Sequence, residues 1–181
     1  MTISRRAILG ATALVPLAGC GIVTTTTTNG VTTVTVNVAK LIAYLSGAAA
    51  LASAFLAVPG VGGLLAPTIA AAVNKAIAVV NADIPAVNTA VKGAVTISFN
   101  TGSPPAFLTS IAADLRGLQT EVSAIVAATG KSLPPAATPY FQGILSVVNA
   151  FVALLSIPAA APKHLMPVNA ALALVHIAQP N

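Results

Sequence analysis

The chain has very few charged and aromatic side chains. Charged residues make up 6% of its 181 positions and aromatic residues 4%, whereas hydrophobic residues make up 56%. Tryptophan is absent. The apolar content is therefore mostly alanine and valine, which suits either tight contacts between helices or a chain that lies partly in lipid.

Cysteine and clustered positive charge are equally scarce. Cys20 is the only cysteine, so the chain can form neither an internal disulfide nor a thiolate metal cluster, and its stability must come from packing. The formal net charge is +5, but two of the eight cationic side chains are Arg5 and Arg6, and the others are widely spaced. Because no basic patch with interleaved aromatic residues exists, we predict no nucleic-acid partner.

The first twenty residues have the order of an export signal. Arg5 and Arg6 precede an uncharged run over residues 7–17, and two small residues then lead to Cys20. The run is shorter than the ~20 residues that a helix needs to cross a bilayer. This order predicts a cleaved signal peptide rather than a permanent membrane span.

The segment Leu17-Ala18-Gly19-Cys20 resembles the lipobox of bacterial lipoproteins. The resemblance implies cleavage after residue 19 and attachment of acyl groups such as palmitate at Cys20. We therefore expect an exported protein that is lipid-anchored to the bacterial membrane and faces the periplasm or the cell exterior. Outside the signal we recognise no family motif.

The beginning of the signal leaves two export routes open. Ser4-Arg5-Arg6-Ala7-Ile8-Leu9 resembles the twin-arginine motif, with Ile8 where an aromatic residue is commoner. Paired arginines also begin many ordinary Sec signals. Arg5 and Arg6 are thus the candidate export residues on either route.

Residues 22–37 are rich in threonine and valine on both sides of Asn29-Gly30. An Asn-Gly pair tolerates the positive φ angles of a type I′ turn, which favours a β-hairpin. A threonine-rich tether between lipid and domain would have a similar sequence, so both interpretations stay open. Val95, Ile97 and Phe99 alternate with polar residues and predict a short strand that could pair with the hairpin.

The rest of the chain is dominated by helical periodicity. Asn37 is a candidate N-cap for a helix with small residues at 46, 47, 50, 53 and 57 along one stripe. Pro85 should kink or divide the second helix, with Asp83 available to cap its second half. Two seams repeat at spacings of three and four residues: Ile69, Val73, Ile77, Val80, Ile84, Val87 and Val91, and Leu108, Ile111, Leu115, Leu118, Val122 and Ile125.

Proline residues mark the starts of three predicted helices. Ser103-Pro104 should start the helix that carries the second seam and ends at Gly130. Thr138-Pro139 should start another, with Gln142, Ser146, Asn149 and Ser156 as a polar stripe opposite Phe141, Leu145, Val148, Val152 and Leu155. A last short helix is expected from Pro167 to about Ala178.

These elements predict a mainly α fold. We expect an up-and-down bundle of four to five helices with a small β-hairpin or strand element near the N-terminus. The predicted organisation is a signal peptide over residues 1–19, a lipid anchor with a tether or hairpin over 20–36, and a single helical domain over 37–181.

No arrangement of residues specifies a chemistry. Asp114 and Glu121 are seven positions apart on one helix, and we interpret them as part of a solvated face. His164 and His176 lack a third ligand at metal spacing. The common hydrolase, metalloprotease and redox motifs do not occur. We therefore predict no catalytic residues, no metal and no cofactor.

Three functional hypotheses follow. The first is a lipid-anchored structural or interaction protein of the cell envelope without enzymatic activity, bound to the membrane through Cys20 and open to an envelope protein partner or to homo-oligomerisation. The second is a membrane-active protein of the pore-forming or phage-lysis type, suggested by the uncharged stretches 41–74 and 132–162. The third is a helical binder of an apolar small molecule.

Overall fold

The computed structural model describes residues 22–61, 67–129, 133–155 and 168–176. These residues form a helical bundle with a three-stranded sheet, as the sequence predicts. The strands are β1 (Val23–Thr28), β2 (Val31–Asn37) and β3 (Thr96–Asn100). The helices are α1 (Val38–Ala57), α2 (Pro67–Val91), α3 (Ala106–Thr129), α4 (Thr138–Leu155) and α5 (Val168–Ala173).

The hairpin interpretation of residues 22–37 is the one that the structure adopts. Asn29 and Gly30 have φ angles of 51° and 77°, the left-handed values that a type I′ turn requires at both positions. β2 pairs with β1 on one side and with β3 on the other, both antiparallel. Since a two-stranded hairpin alone is marginal in water, β3 supplies the third strand that stabilises it.

One face of the sheet belongs to the core of the bundle. Val34 lies opposite Phe99 and Val36 lies opposite Ile97 in the β2–β3 register. Val34 and Val36 are buried, and they belong to the same hydrophobic cluster as the helices. On the other face, the hydroxyl of Thr35 lies 2.8 Å from that of Ser98.

The helices close into a ring. Each of α1 to α4 packs on the next in sequence, α4 also packs on α1, and α5 covers α4 and α1. α1 is the central helix because it contacts α2, α4, α5 and β2, and both of its sides bury large residues. The buried side chains of α1 include Leu41, Tyr44, Leu45, Leu51 and Phe55.

The two predicted seams are confirmed. All six members of the α3 seam are buried, and so are Val73, Ile77, Val80 and Val87 on α2. Ile69, Ile84 and Val91 are partly buried against the same core. α2 and α3 pack on each other, so each seam covers the other.

Of the two predicted effects of Pro85, a kink or a division of the second helix, the division does not occur. α2 is a single helix with Pro85 inside it. Val80 and Val87 are fully buried on either side of the proline, so packing on the core holds the helix together across the missing hydrogen bond. Asp83 consequently lies in the middle of a helix and is not a cap.

The predicted polar stripe of α4 is also partly wrong. Ser146 is buried at 4% exposure, and the fully buried apolar residues are Ile144, Val147, Val148 and Phe151. The hydroxyl of Ser146 donates a hydrogen bond to the carbonyl oxygen of Gln142 at 2.9 Å. This bond inside its own helix satisfies the hydroxyl and removes the need for water.

Three predicted boundaries and contacts shift. α3 begins at Ala106, two residues after Pro104. Pro104 is itself followed by Pro105, and a residue that precedes a proline is disfavoured in helical conformation. α5 ends at Ala173 and is shorter than predicted. In the small-residue stripe of α1, Gly47 is buried whereas Ser53 and Ala57 are exposed, so only part of that stripe serves helix packing.

Candidate functional site

The predicted lipidation and export residues lie outside the part of the chain that the structure describes. Cys20, Arg5 and Arg6 all precede Ile22, which is the first described residue. Their assignment therefore still rests on the sequence. The structure describes the residues that follow this segment, from Ile22 onward.

The described part of the fold begins at Ile22, two residues after Cys20. Ile22 is already in the core, with 5% of its side chain exposed. Its carbonyl oxygen accepts a hydrogen bond from the amide of Asn37 at 2.8 Å. Because two residues of extended chain span at most about 7 Å, Cys20 cannot lie far from this point of the domain.

Three parts of the chain meet at Ile22. The amide of Val38, which follows Asn37, donates a hydrogen bond to the carbonyl oxygen of Val95 at 3.0 Å. The start of β1, the junction of β2 with α1 and the turn between α2 and β3 are therefore adjacent. Val95 is 73% exposed, the highest value among the exposed large hydrophobic residues of the described chain.

A second feature is the carboxylate of Asp83, a residue that the sequence predicts as a helix cap and that the structure partly buries. Asp83 on α2 has one oxygen, Oδ2, that is buried and without a hydrogen-bond partner. Burial, and to a smaller extent the negative charge of Asp114 on α3, raise the pKa of Asp83 from its ordinary value of 3.8 to about 6. Packing of α2 on α3 brings these two carboxylates together.

Asp114 and Glu121, which were interpreted as part of a solvated helix face, are both partly buried. The structure instead couples Asp114 to Asp83, which comes from another helix. The signal for Asp83 was its position three residues after Val80 and four before Val87, at the edge of the buried seam.

Within the described ranges, no three or more His, Cys, Asp or Glu side chains lie close enough to hold a metal ion. His176 is exposed, with a φ of 56° after the end of α5. His164 lies outside the described residues, so the prediction that the two histidines form no metal site stays a prediction.

Two of the helices that the structure describes are long and apolar enough to cross a membrane. They are α1 and α2. In the most apolar stretch of α1, 56% is buried inside the bundle, whereas in the most apolar stretch of α2 only 17% is buried. The burial of α1 is what a core helix of a water-soluble bundle shows as well. Most of α2 is instead exposed around its buried seam.

Comparison with known proteins found no matching family model, no matching curated protein and no matching solved structure. The class that the fold defines is thus a small helical bundle with an N-terminal three-stranded sheet.

Proposed function

We propose that this protein is a lipid-anchored structural or interaction protein of the bacterial cell envelope, without catalytic activity. The observation that carries the proposal is the segment Leu17-Ala18-Gly19-Cys20 after a basic start and a short apolar run. Two acyl chains suffice for stable attachment, since each buried methylene contributes about 0.8 kcal/mol.

The position of Ile22 supports this proposal. A lipoprotein domain follows its acylated cysteine, and Ile22, two positions after Cys20, is buried in the core. Nothing of the described fold would be lost by cleavage after residue 19. The bundle would then act as a scaffold held at the membrane surface, available to an envelope protein partner or to a second copy.

The export route is tested separately from the anchor. Twin-arginine export requires the guanidinium pair of Arg5 and Arg6, whereas Sec export needs only positive charge. The double variant Arg5→Lys, Arg6→Lys distinguishes the two routes. Undiminished export of this variant eliminates the twin-arginine route, and retention of the precursor in the cytoplasm eliminates the Sec route.

Membrane insertion is the second candidate, and the exposure of α2 is the observation that favours it. Against insertion, the exposed surface of α2 carries Asn74, Lys75, Asn81 and Asn88. A charged side chain at the centre of a membrane-spanning helix costs about 2.5 kcal/mol or more. The four-helix packing that buries the α2 seam would also have to open. We therefore prefer the scaffold.

Incorporation of labelled palmitate tests the proposed function. The wild-type protein should be labelled and should sediment with membranes, and Cys20→Ala should be unlabelled because no other thiol exists. A matched control is Cys20→Ala with Thr26→Cys, which restores a thiol at an exposed position of β1. This control should also stay unlabelled. Equal labelling of the wild type and Cys20→Ala would refute the lipid anchor.

A further inference from the structure

We propose that the surface around Lys40, Lys92 and Val95, here called the anchor-proximal surface, lies directly against the anionic headgroups of a phospholipid bilayer. The inference rests on the proposed acylation of Cys20 and goes beyond it. Acylation alone attaches the chain to lipid, whereas this inference fixes which side of the domain faces the membrane.

Only two positions separate the proposed lipid attachment at Cys20 from the buried Ile22. An acylated Cys20 has its sulfur at the level of the lipid headgroups, and Ile22 is at most about 7 Å further along the chain. Ile22 cannot move independently, because it is buried and its carbonyl oxygen is bonded to Asn37. The connection is therefore too short to hold the domain away from the membrane, and the region around Ile22 stays close to the bilayer.

An exposed apolar residue, Val95, lies close to Ile22. Val95 is 73% exposed. Its carbonyl oxygen accepts a hydrogen bond from the amide of Val38, which follows Asn37, the residue bonded to Ile22. The turn that presents it is well defined, since Lys92 and Gly93 have positive φ angles of 50° and 81°. A valine held in this way at a bilayer surface can bury its side chain among the headgroups and upper acyl chains.

The anchor-proximal surface is also positively charged. Lys92 is exposed three residues before Val95, and the amide of Lys40 is bonded to the side chain of Asn37 at 3.0 Å. The three chain segments that meet here, residues 22–24, 37–40 and 91–96, contain two lysines and no acidic residue. Basic residues near an anionic membrane surface are attracted to it.

The carboxylates of Asp83 and Asp114 lie away from this surface. Asp83 precedes Lys92 by nine residues, which is about 13 Å along the helix axis. Asp114 is close to Asp83, from α3. The distribution of charge along α2 therefore favours docking through its C-terminal end, where Lys92 is located.

Labelling at single introduced cysteines tests the orientation. The only native thiol is consumed by the lipid, so Val95→Cys can carry one fluorophore on the full-length, processed lipoprotein. The protein is reconstituted into vesicles of equimolar phosphatidylcholine and phosphatidylglycerol that contain a lipid-borne quencher. Matched controls are Val79→Cys and Val31→Cys, which replace two other exposed valines.

The controls lie far from the proposed membrane contact. Val79 precedes Lys92 by thirteen residues, about 20 Å along α2. Val31 is at the opposite end of β2 from Asn37, also about 20 Å away. We expect the label at position 95 to be quenched several-fold more than the labels at 79 and 31. Equal quenching at the three positions would overturn the proposed orientation.

The contribution of charge is tested with lysine variants. In the Val95→Cys background, Lys40→Gln and Lys92→Gln should each reduce the ratio of docked to undocked protein about five-fold on anionic vesicles. Lys75→Gln removes an equivalent exposed charge from the other end of α2 and should leave that ratio unchanged. An equal loss in all three variants would show that the anchor-proximal surface has no special role.

Two further outcomes separate the possible failures. A purified protein that carries no acyl chain and does not enter the vesicles would refute the proposed anchor and this inference with it. An acylated protein whose Val95 label is accessible to water in pure lipid, but protected in native membranes, would keep the anchor. That result would assign the anchor-proximal surface to a protein partner and overturn its assignment to the bilayer.

Discussion

The backbone amide of Asn37 donates a hydrogen bond to the carbonyl oxygen of Ile22 at 2.8 Å, and its side-chain oxygen accepts one from the amide of Lys40 at 3.0 Å. One residue thereby joins the first strand to the N-terminus of the central helix. Because Ile22 follows Cys20 by two positions, Asn37 also links the proposed lipid attachment to the core of the bundle.

Removing the cap of α1 should destabilise the domain. Asn37→Ala loses the side-chain bond to Lys40 and should lower the free energy of unfolding by about 1 kcal/mol. Asn37→Asp keeps an acceptor and should lose little. Chemical denaturation followed by circular dichroism measures both. If exposed Asn88→Ala proved as harmful as Asn37→Ala, the assignment of the cap would be wrong.

Gly143 and Gly117 should respond differently to a larger side chain. A Cβ atom at Gly143 would lie 3.1 Å from Leu51 Cδ2 and 3.3 Å from the Cβ of Ala171, whereas one at Gly117 would meet nothing within 4 Å. Both residues lie inside helices, so Gly117→Ala should stabilise the protein by about 0.5–1 kcal/mol. Gly143→Val should destabilise it by about 1–3 kcal/mol through overpacking.

Alanine at each of the two glycines gives a matched test of this packing. Stabilisation of similar size by Gly117→Ala and Gly143→Ala would mean that α4 does not approach α1 and α5 as closely as the contacts of Gly143 indicate. Thermal unfolding of the two alanine variants and of Gly143→Val decides the matter.

Stability should fall as the pH rises from about 4 to about 7. Asp83 has a pKa of about 6 in the fold and 3.8 ordinarily, so the folded state binds more protons than the unfolded state between these values. The stabilising effect of the protonated carboxyl is fully present below pH 3.8 and is lost as the pH passes through about 6. Asp83→Asn should therefore flatten this part of the stability profile.

A control is available on the neighbouring helix. Glu121→Gln leaves Asp83 and Asp114 in place and should keep the pH dependence. Urea midpoints at several pH values between 4 and 7 test both variants. A wild-type midpoint that rises over this range would contradict the assignment of Asp83 as a carboxyl that prefers to be neutral.

Much of the fold could be predicted from local patterns. The seam of α3 and the turn at Asn29 and Gly30 depend on side-chain spacing and on the φ angles that these residues tolerate. The rotation of α4 could not be predicted, because a serine such as Ser146 can satisfy its hydroxyl inside the helix and then be buried. The continuity of α2 through Pro85 likewise depends on core contacts made by other residues.

The candidate site was less predictable than the fold. Cys20 can be singled out from the four residues of the lipobox-like segment, because a signal peptidase reads a linear sequence. The coupling of Asp83 to Asp114 arises from the packing of α2 on α3, and the meeting of Val95 with Val38 arises from strand pairing. Both are tertiary relationships that no short segment encodes.

A variant lacking residues 1–20 should distinguish a scaffold from a membrane lesion. We expect a water-soluble, mainly helical protein that does not release dye from liposomes, because the α2 and α3 seams bury each other. Circular dichroism and sedimentation test the fold, and dye release tests the lesion. Insolubility without detergent, or release of dye at low protein concentration, would favour the membrane-active hypothesis.

Mass spectrometry of the N-terminal peptide of the mature protein tests the proposed lipid anchor at its attachment point. We expect this peptide to begin at Cys20, residues 1–19 to be absent, and the cysteine to carry the mass of a diacylglyceryl group. A mature peptide that retains residues 1–19, or that contains Cys20 with a free thiol, would rule out the lipid anchor.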